Sequence, residues 1–202
     1  MKRLLTGLLC LISFSFSQDG INFEFNLIER ENSFYTKDTH KLYSGKVFSL
    51  YDDQKIKSEG SIEDGKMIHK TESKWYENGQ KRSEVPYKNG KVDGLITWWY
   101  ENGQKNFEGT YRNGLKEGLN TSWKENGQKS FESNYTNHKR NGPWMSWYDN
   151  GQKNSEGTYK DGKVDGLEIY WYQNGQKYRE VSFINGELIS EKSWNEDGSK
   201  KE

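Results

Sequence analysis

The chain has 202 residues and carries 30 Lys+Arg against 30 Asp+Glu, a formal net charge of zero that argues against a nucleic-acid binder with a basic footprint. Hydrophobic residues are 31%, below the roughly 45–50% of an ordinary globular domain. Ala is missing and Gly numbers 21, which excludes a helical protein, while 15% aromatic residues exclude a disordered chain.

In chain order, Met1-Lys2-Arg3 is a short basic start followed by an apolar run over 4–16 and the small-residue site Ser15-Phe16-Ser17. This layout predicts a secretory signal peptide over residues 1–17 and an exported protein, whether periplasmic, cell-surface or secreted. The apolar run is short of the roughly 20 residues a membrane span requires. Cys10, the single cysteine, falls within it, so the mature chain is expected to have no disulfides. Leu9 precedes it, where a lipoprotein signal has a small residue.

Residues 18–44 read as N-terminal cap strands. Ile21, Phe23, Phe25 and Leu27 alternate with polar residues and predict one strand. Glu31-Asn32-Ser33 predicts a turn and Phe34-Tyr35 the start of another strand. Repeat arrays require such caps to protect their ends.

Residues 45–202 read as a repeat array with a 24-residue period. Trp75-Tyr76-Glu77-Asn78-Gly79-Gln80-Lys81 recurs with its first residue at Trp99, Trp123, Trp147 and Trp171, and in degenerate form at Trp194. An eroded copy places Leu50 at the Trp position. Sixteen of the 21 glycines fall in register with this period and are assigned to turns. His138 stands where other repeats have the turn glycine. The segments between turns are rich in Trp, Tyr, Phe and Thr and predict strands joined as an antiparallel meander. The fold class is therefore all-β, an elongated, twisted sheet of hairpin repeats.

A three-residue Glu-Asn-Gly loop sets Trp99 opposite Lys105, and its equivalents set every repeat Trp opposite a Lys. Carried outward by strict alternation, this register gathers Leu95, Thr97, Trp99, Phe107, Gly109 and Tyr111 on one face. It gathers Met145, Trp147, Gly157 and Tyr159 in the fourth unit, and Leu167, Ile169, Trp171, Val181 and Phe183 in the fifth. The opposite face is then expected to hold Glu84, Glu108, Glu132, Glu156 and Glu180, together with Trp98 and Trp144.

The stretch Phe107-Glu108-Gly109-Thr110-Tyr111-Arg112-Asn113-Gly114, closing on Gly118, resembles the MORN repeat; with the Trp-Tyr-x-Asn-Gly-Gln-Lys half it resembles the bacterial MORN-variant repeat. The resemblance covers residues 42–200. Ser83, Ser155 and Arg179 depart from it at the first aromatic, as do Val85, Ser133 and Val181 at the Gly of Glu-Gly. It implies binding, scaffolding or membrane-lipid contact without catalysis. Proteins with this repeat are often labelled antitoxins, which implies a partner toxin as an alternative.

No catalytic constellation is legible. His40, His69 and His138 are far apart in an array whose contacts are mostly between neighbours, and no metal-ligand spacing or phosphate loop occurs. No cofactor is expected. The five glutamates recur in every unit, which favours a structural ladder over the acid–base pair of a hydrolase. Trp98, Tyr100, Trp144, Tyr148, Tyr170 and Tyr172 form a candidate aromatic strip for an unknown protein, glycan or envelope component. Trp75, Trp99, Trp123, Trp147, Trp171 and Trp194 are assigned to the structural ladder.

Overall fold

The computed structural model describes residues 20–201, so the signal-peptide segment 1–17 and Cys10 lie outside the described residues. Thirteen strands follow one another through the array. They are Gly45–Leu50, Ile56–Glu63, Lys66–Trp75, Lys81–Lys88, Gly94–Trp99, Lys105–Arg112, Leu115–Trp123, Lys129–Thr136, Lys139–Trp147, Lys153–Lys160, Gly166–Trp171, Lys177–Ile184 and Glu187–Ser193. Each pairs antiparallel with the next, and with three short strands they complete one 16-stranded sheet. The meander of hairpins expected from the period is the observed fold.

The turns explain the topology. All sixteen glycines assigned to turns have positive φ, as do Asn137 and His138 at +48° and +70°. At one edge, Gly103 N–H donates to Tyr100 O at 2.9 Å and Tyr100 N–H to Gln104 O at 2.8 Å, closing the three-residue Glu-Asn-Gly loop. At the other edge, Asn113 and Gly114 take φ of +51° and +86°, a two-residue turn that suits the twist of a hairpin.

The expected Trp–Lys pairing occurs. Trp75, Trp99, Trp123, Trp147 and Trp171 stand opposite Lys81, Lys105, Lys129, Lys153 and Lys177. Trp194 and Lys200 form an isolated bridge. One residue further on, alternation breaks. Trp98 faces Phe107 across the strand pair, so Asn106 is an extra residue, a β-bulge. The bulge recurs at Lys57, Arg82, Ser130, Asn154 and Tyr178.

This corrects the expected faces. Phe107, Gly109 and Tyr111 share their face with Trp98, Ile96 and Gly94, while Glu108 shares the other with Thr97. Gly157 and Tyr159 lie with Trp144 rather than with Met145 and Trp147, and Val181 and Phe183 lie with Glu168 and Gly166 rather than Ile169 and Trp171. The glutamates and the repeat tryptophans therefore occupy one face, and Trp98 and Trp144 the other. The cause is the single inserted residue, which reverses the side of everything beyond it.

The expected strand over Ile21, Phe23, Phe25 and Leu27 is also corrected. Ile21–Asn22 pairs parallel with Gly45–Leu50, and Phe23–Asn26 is one helical turn. The Asn22 side chain accepts from Glu24 N–H at 3.0 Å and Phe25 N–H at 3.4 Å, capping that turn. Alternation stops there, and Phe25 is left exposed. A hairpin of Leu27–Arg30 and Ser33–Thr36 follows as a separate two-stranded sheet. Its Leu27 and Phe34 pack on Val47 and Ile62 to form an apolar cluster, with Phe23 set edge-on to Phe34 at 4.9 Å. The face of the sheet that this hairpin covers is called the cap face below, and the opposite one the ladder face.

Candidate binding face

The ladder face carries Trp, Lys and Glu in a fixed order. Each Lys ammonium reaches the Glu three residues on, at 2.5 Å for Lys129–Glu132 and 2.6 Å for Lys153–Glu156. The same ammonium lies over the indole of the following repeat, 5.6 Å for Lys105 over Trp123 and 5.3 Å for Lys153 over Trp171. Each contact adds about 0.5–1 kcal/mol at exposed sites. The recurring lysines and glutamates of this face are thereby paired within the chain.

Repeats are also tied along the three-residue-loop edge. Tyr76, Tyr100, Tyr148 and Tyr172 hydroxyls donate to the backbone carbonyls of Trp99, Trp123, Trp171 and Trp194 at 2.6–3.0 Å. Lys124 stands in the remaining repeat where the others have Tyr. Its ammonium donates to Trp147 O at 3.2 Å and pairs with Asp149 at 2.8 Å. Asn78, Asn102, Asn150 and Asn174 amides donate to the carbonyl of the next turn.

The six residues of the candidate strip therefore divide. Tyr100, Tyr148 and Tyr172 have their hydroxyls engaged between repeats. Trp98, Trp144 and Tyr170 lie on the cap face. Trp98 is 47% exposed, with its ring 5.1 Å from Phe107. Trp144 lies between Phe131 at 6.2 Å and Tyr159 at 6.3 Å. Tyr170 donates to the buried Glu168 carboxylate at 2.6 Å. Burial first, and that carboxylate second, push the Tyr170 phenol well above its ordinary range.

Four residues of this face escaped the sequence reading. Lys116 Nζ lies 4.9 Å from the Tyr135 ring, and the Arg140 guanidinium 5.3 Å from Phe131 and 5.1 Å from Tyr159. Arg140 also donates to the Tyr159 hydroxyl at 3.2 Å. A signal existed: these cations are one period apart, where the flanking repeats have Val92 and Val164. The other two, Asn120 and Ser133, face each other across the strands, and Ser133 in turn faces Trp144. Asn120 Nδ2 and Oδ1, Ser133 Oγ and Trp144 Nε1 are buried without a hydrogen-bond partner. The sequence marks Ser133 only as a departure from the Gly of Glu-Gly, and Asn120 not at all as a site, because Asn and Ser are ordinary residues of an edge or turn.

A shallow groove of about 440 Å³ opens on the cap face where Lys74, Tyr76, Arg82, Val85, Tyr87 and Trp98 meet. Among the described residues no three His, Cys, Asp or Glu side chains converge as metal ligands. The arrangement offers rings and cations on an extended surface, with unpartnered polar groups buried beneath it.

This single-sheet architecture defines a β-repeat protein built of hairpin units. Four of its segments, residues 68–89, 92–113, 140–161 and 164–185, match the MORN repeat variant family. The intervening repeat, which carries Lys116, Asn120, Lys124 and Ser133, lies between the matched segments. No curated protein matches the chain in sequence.

Proposed function

We propose that this protein is an exported, non-enzymatic repeat scaffold that binds a protein, glycan or envelope surface through its cap face. The observation that carries the reading is the division between the two faces. The ladder face pairs each of its recurring lysines with a glutamate of its own repeat. The cap face beyond the N-terminal hairpin presents Trp98 and a set of cations stacked on rings. Aromatic and arginine side chains are favoured at binding surfaces. The basic start and apolar run over 1–17 support export.

Cell fractionation with N-terminal sequencing of the mature chain tests the compartment, and a free terminus at residue 18 is expected. Partner capture from envelope fractions with wild type and Trp98→Ala tests the face. Unchanged capture removes the cap face from consideration. A captured cytosolic toxin replaces this reading with that of an antitoxin-like neutraliser.

A further inference from the structure

We infer that the cap face across the third and fourth repeats binds an acidic polysaccharide in which a carboxylated sugar alternates with an uncharged one. This rests on the reading of the cap face as the binding surface and names its ligand.

Charge is the first argument. Lys74, Arg82, Lys116 and Arg140 form no salt bridge among the described residues, unlike the lysines of the ladder face. Of the carboxylates on the cap face, Glu72 pairs with Lys70 at 2.5 Å and Glu191 with Arg179 at 2.8 Å, while the buried Glu168 accepts only from the neutral Tyr170 hydroxyl and stands as one anion against these four cations. The face thus holds cationic charge that the chain itself does not neutralise. Stacking on Tyr135, Phe131 and Tyr159 fixes where that charge sits.

Spacing is the second. Lys116 and Arg140 occupy equivalent positions two strands apart, opposite Tyr111 and Tyr135. Strands lie about 4.8 Å apart, so the two positions are about 9.6 Å apart. Nucleic acid presents a phosphate about every 3.4 Å along each strand. An extended acidic peptide presents same-face carboxylates about every 6.8 Å. A polysaccharide charged on alternate sugars presents one carboxylate per disaccharide, a length that matches the step between repeats.

Unmet hydrogen bonding is the third. Asn120 is 4% exposed and Ser133 0%, and they lie in one row with Trp144 across adjacent strands. Their unpartnered atoms comprise an amide donor, an amide acceptor, a hydroxyl and an indole N–H. Leaving such groups unmet costs about 1–3 kcal/mol each. A vicinal diol supplies both donors and acceptors to such a row. The Phe107 ring edge lies against Gly109 beside the Asn120 amide, so ligand access to the row requires that ring to turn aside. Sugar rings then stack their C–H faces on the exposed Trp98. Asn120 and Ser133 belong to the repeat outside the four MORN-variant matches.

The experiment measures binding of hyaluronate oligosaccharides to the full mature chain by tryptophan fluorescence. Dextran, poly-glutamate and polyuridylate serve as parallel probes. Saturable, salt-sensitive binding is expected for hyaluronate alone. Lys116→Gln and Arg140→Gln each weaken it about tenfold, the loss of one charged contact. Ser133→Ala separates binding from folding: removing an unpartnered buried hydroxyl leaves the unfolding midpoint equal or higher, while hyaluronate affinity falls.

Absence of hyaluronate binding, or binding unchanged in Lys116→Gln and Arg140→Gln, overturns the inference. Equal binding of poly-glutamate or polyuridylate overturns it too, but leaves the cap face as a binding surface. If these variants and Trp98→Ala also leave envelope capture unchanged, the broader reading falls with it.

Discussion

At the scale of the residue, glycine serves two separate purposes in this sheet. Gly90 has φ of +75° and open space where a Cβ would stand, so its role is purely conformational. Gly60 has ordinary extended backbone, yet an added Cβ would meet the His69 carbonyl oxygen at 2.2 Å. Gly90→Ala is therefore expected to cost about 1–2 kcal/mol, the penalty for a left-handed L-residue. Gly60→Ala forces backbone apart and is expected to cost about 3 kcal/mol. Urea unfolding midpoints of the two variants check the order. The same position in later repeats holds Val85, Gly109, Ser133, Gly157 and Val181; an added Cβ at Gly109 or Gly157 would meet side chains at 2.7 Å, so the clash with backbone is particular to Gly60. The sequence placed Gly90 among the turn glycines and left Gly60 outside them; only the distance to a neighbouring carbonyl shows why Gly60 is required.

At the scale of the element, the bulge is what sorts side chains between the faces. Its extra residue is Lys57, Arg82, Asn106, Ser130, Asn154 or Tyr178, so no side-chain type is required. Asn106→Ser is accordingly expected to change stability by less than about 0.5 kcal/mol. Deleting Asn106 restores strict alternation and sends Phe107, Gly109 and Tyr111 to the ladder face. That is expected to destabilise by at least about 3 kcal/mol, because a one-residue slip moves every side chain beyond it. Thermal unfolding by near-ultraviolet circular dichroism checks both. The hairpins, their turns and the Trp–Lys pairs were legible from Asn-Gly spacing. The face assignment was not, because aromatic residues occur on both sides and the bulge has no compositional mark.

At the scale of the whole molecule, stability is distributed unequally. The apolar cluster of Leu27, Phe34, Val47 and Ile62 sits under the N-terminal hairpin, and beyond it the buried aliphatic side chains among the described residues are Ile96 and Val181. The rest of the array depends on ladder hydrogen bonds, Trp–Lys–Glu contacts and inter-repeat ties from Tyr and Asn side chains. Phe34→Ala is expected to cost about 3 kcal/mol by leaving a cavity in that cluster. In a repeat array, where each unit contacts its neighbours, the loss stays local. Hydrogen exchange should therefore quicken over 27–62 and remain unchanged over 139–184; uniform acceleration along the chain would contradict a quasi-one-dimensional sheet.

The amino-acid sequence alone determined the period, the turns, the strands and the meander, because a two- or three-residue turn states its backbone requirement in Asn and Gly. It also determined which Lys stands opposite each Trp, since loop length sets the first cross-strand pair. Tertiary structure alone decided which residues share a face, that Phe23–Asn26 leaves the strand, and that Lys116, Arg140, Asn120 and Ser133 lie on one surface. The physical reason is that a bulge, a helix cap and an unmet hydrogen bond are relations between backbone positions, and no single residue type encodes them.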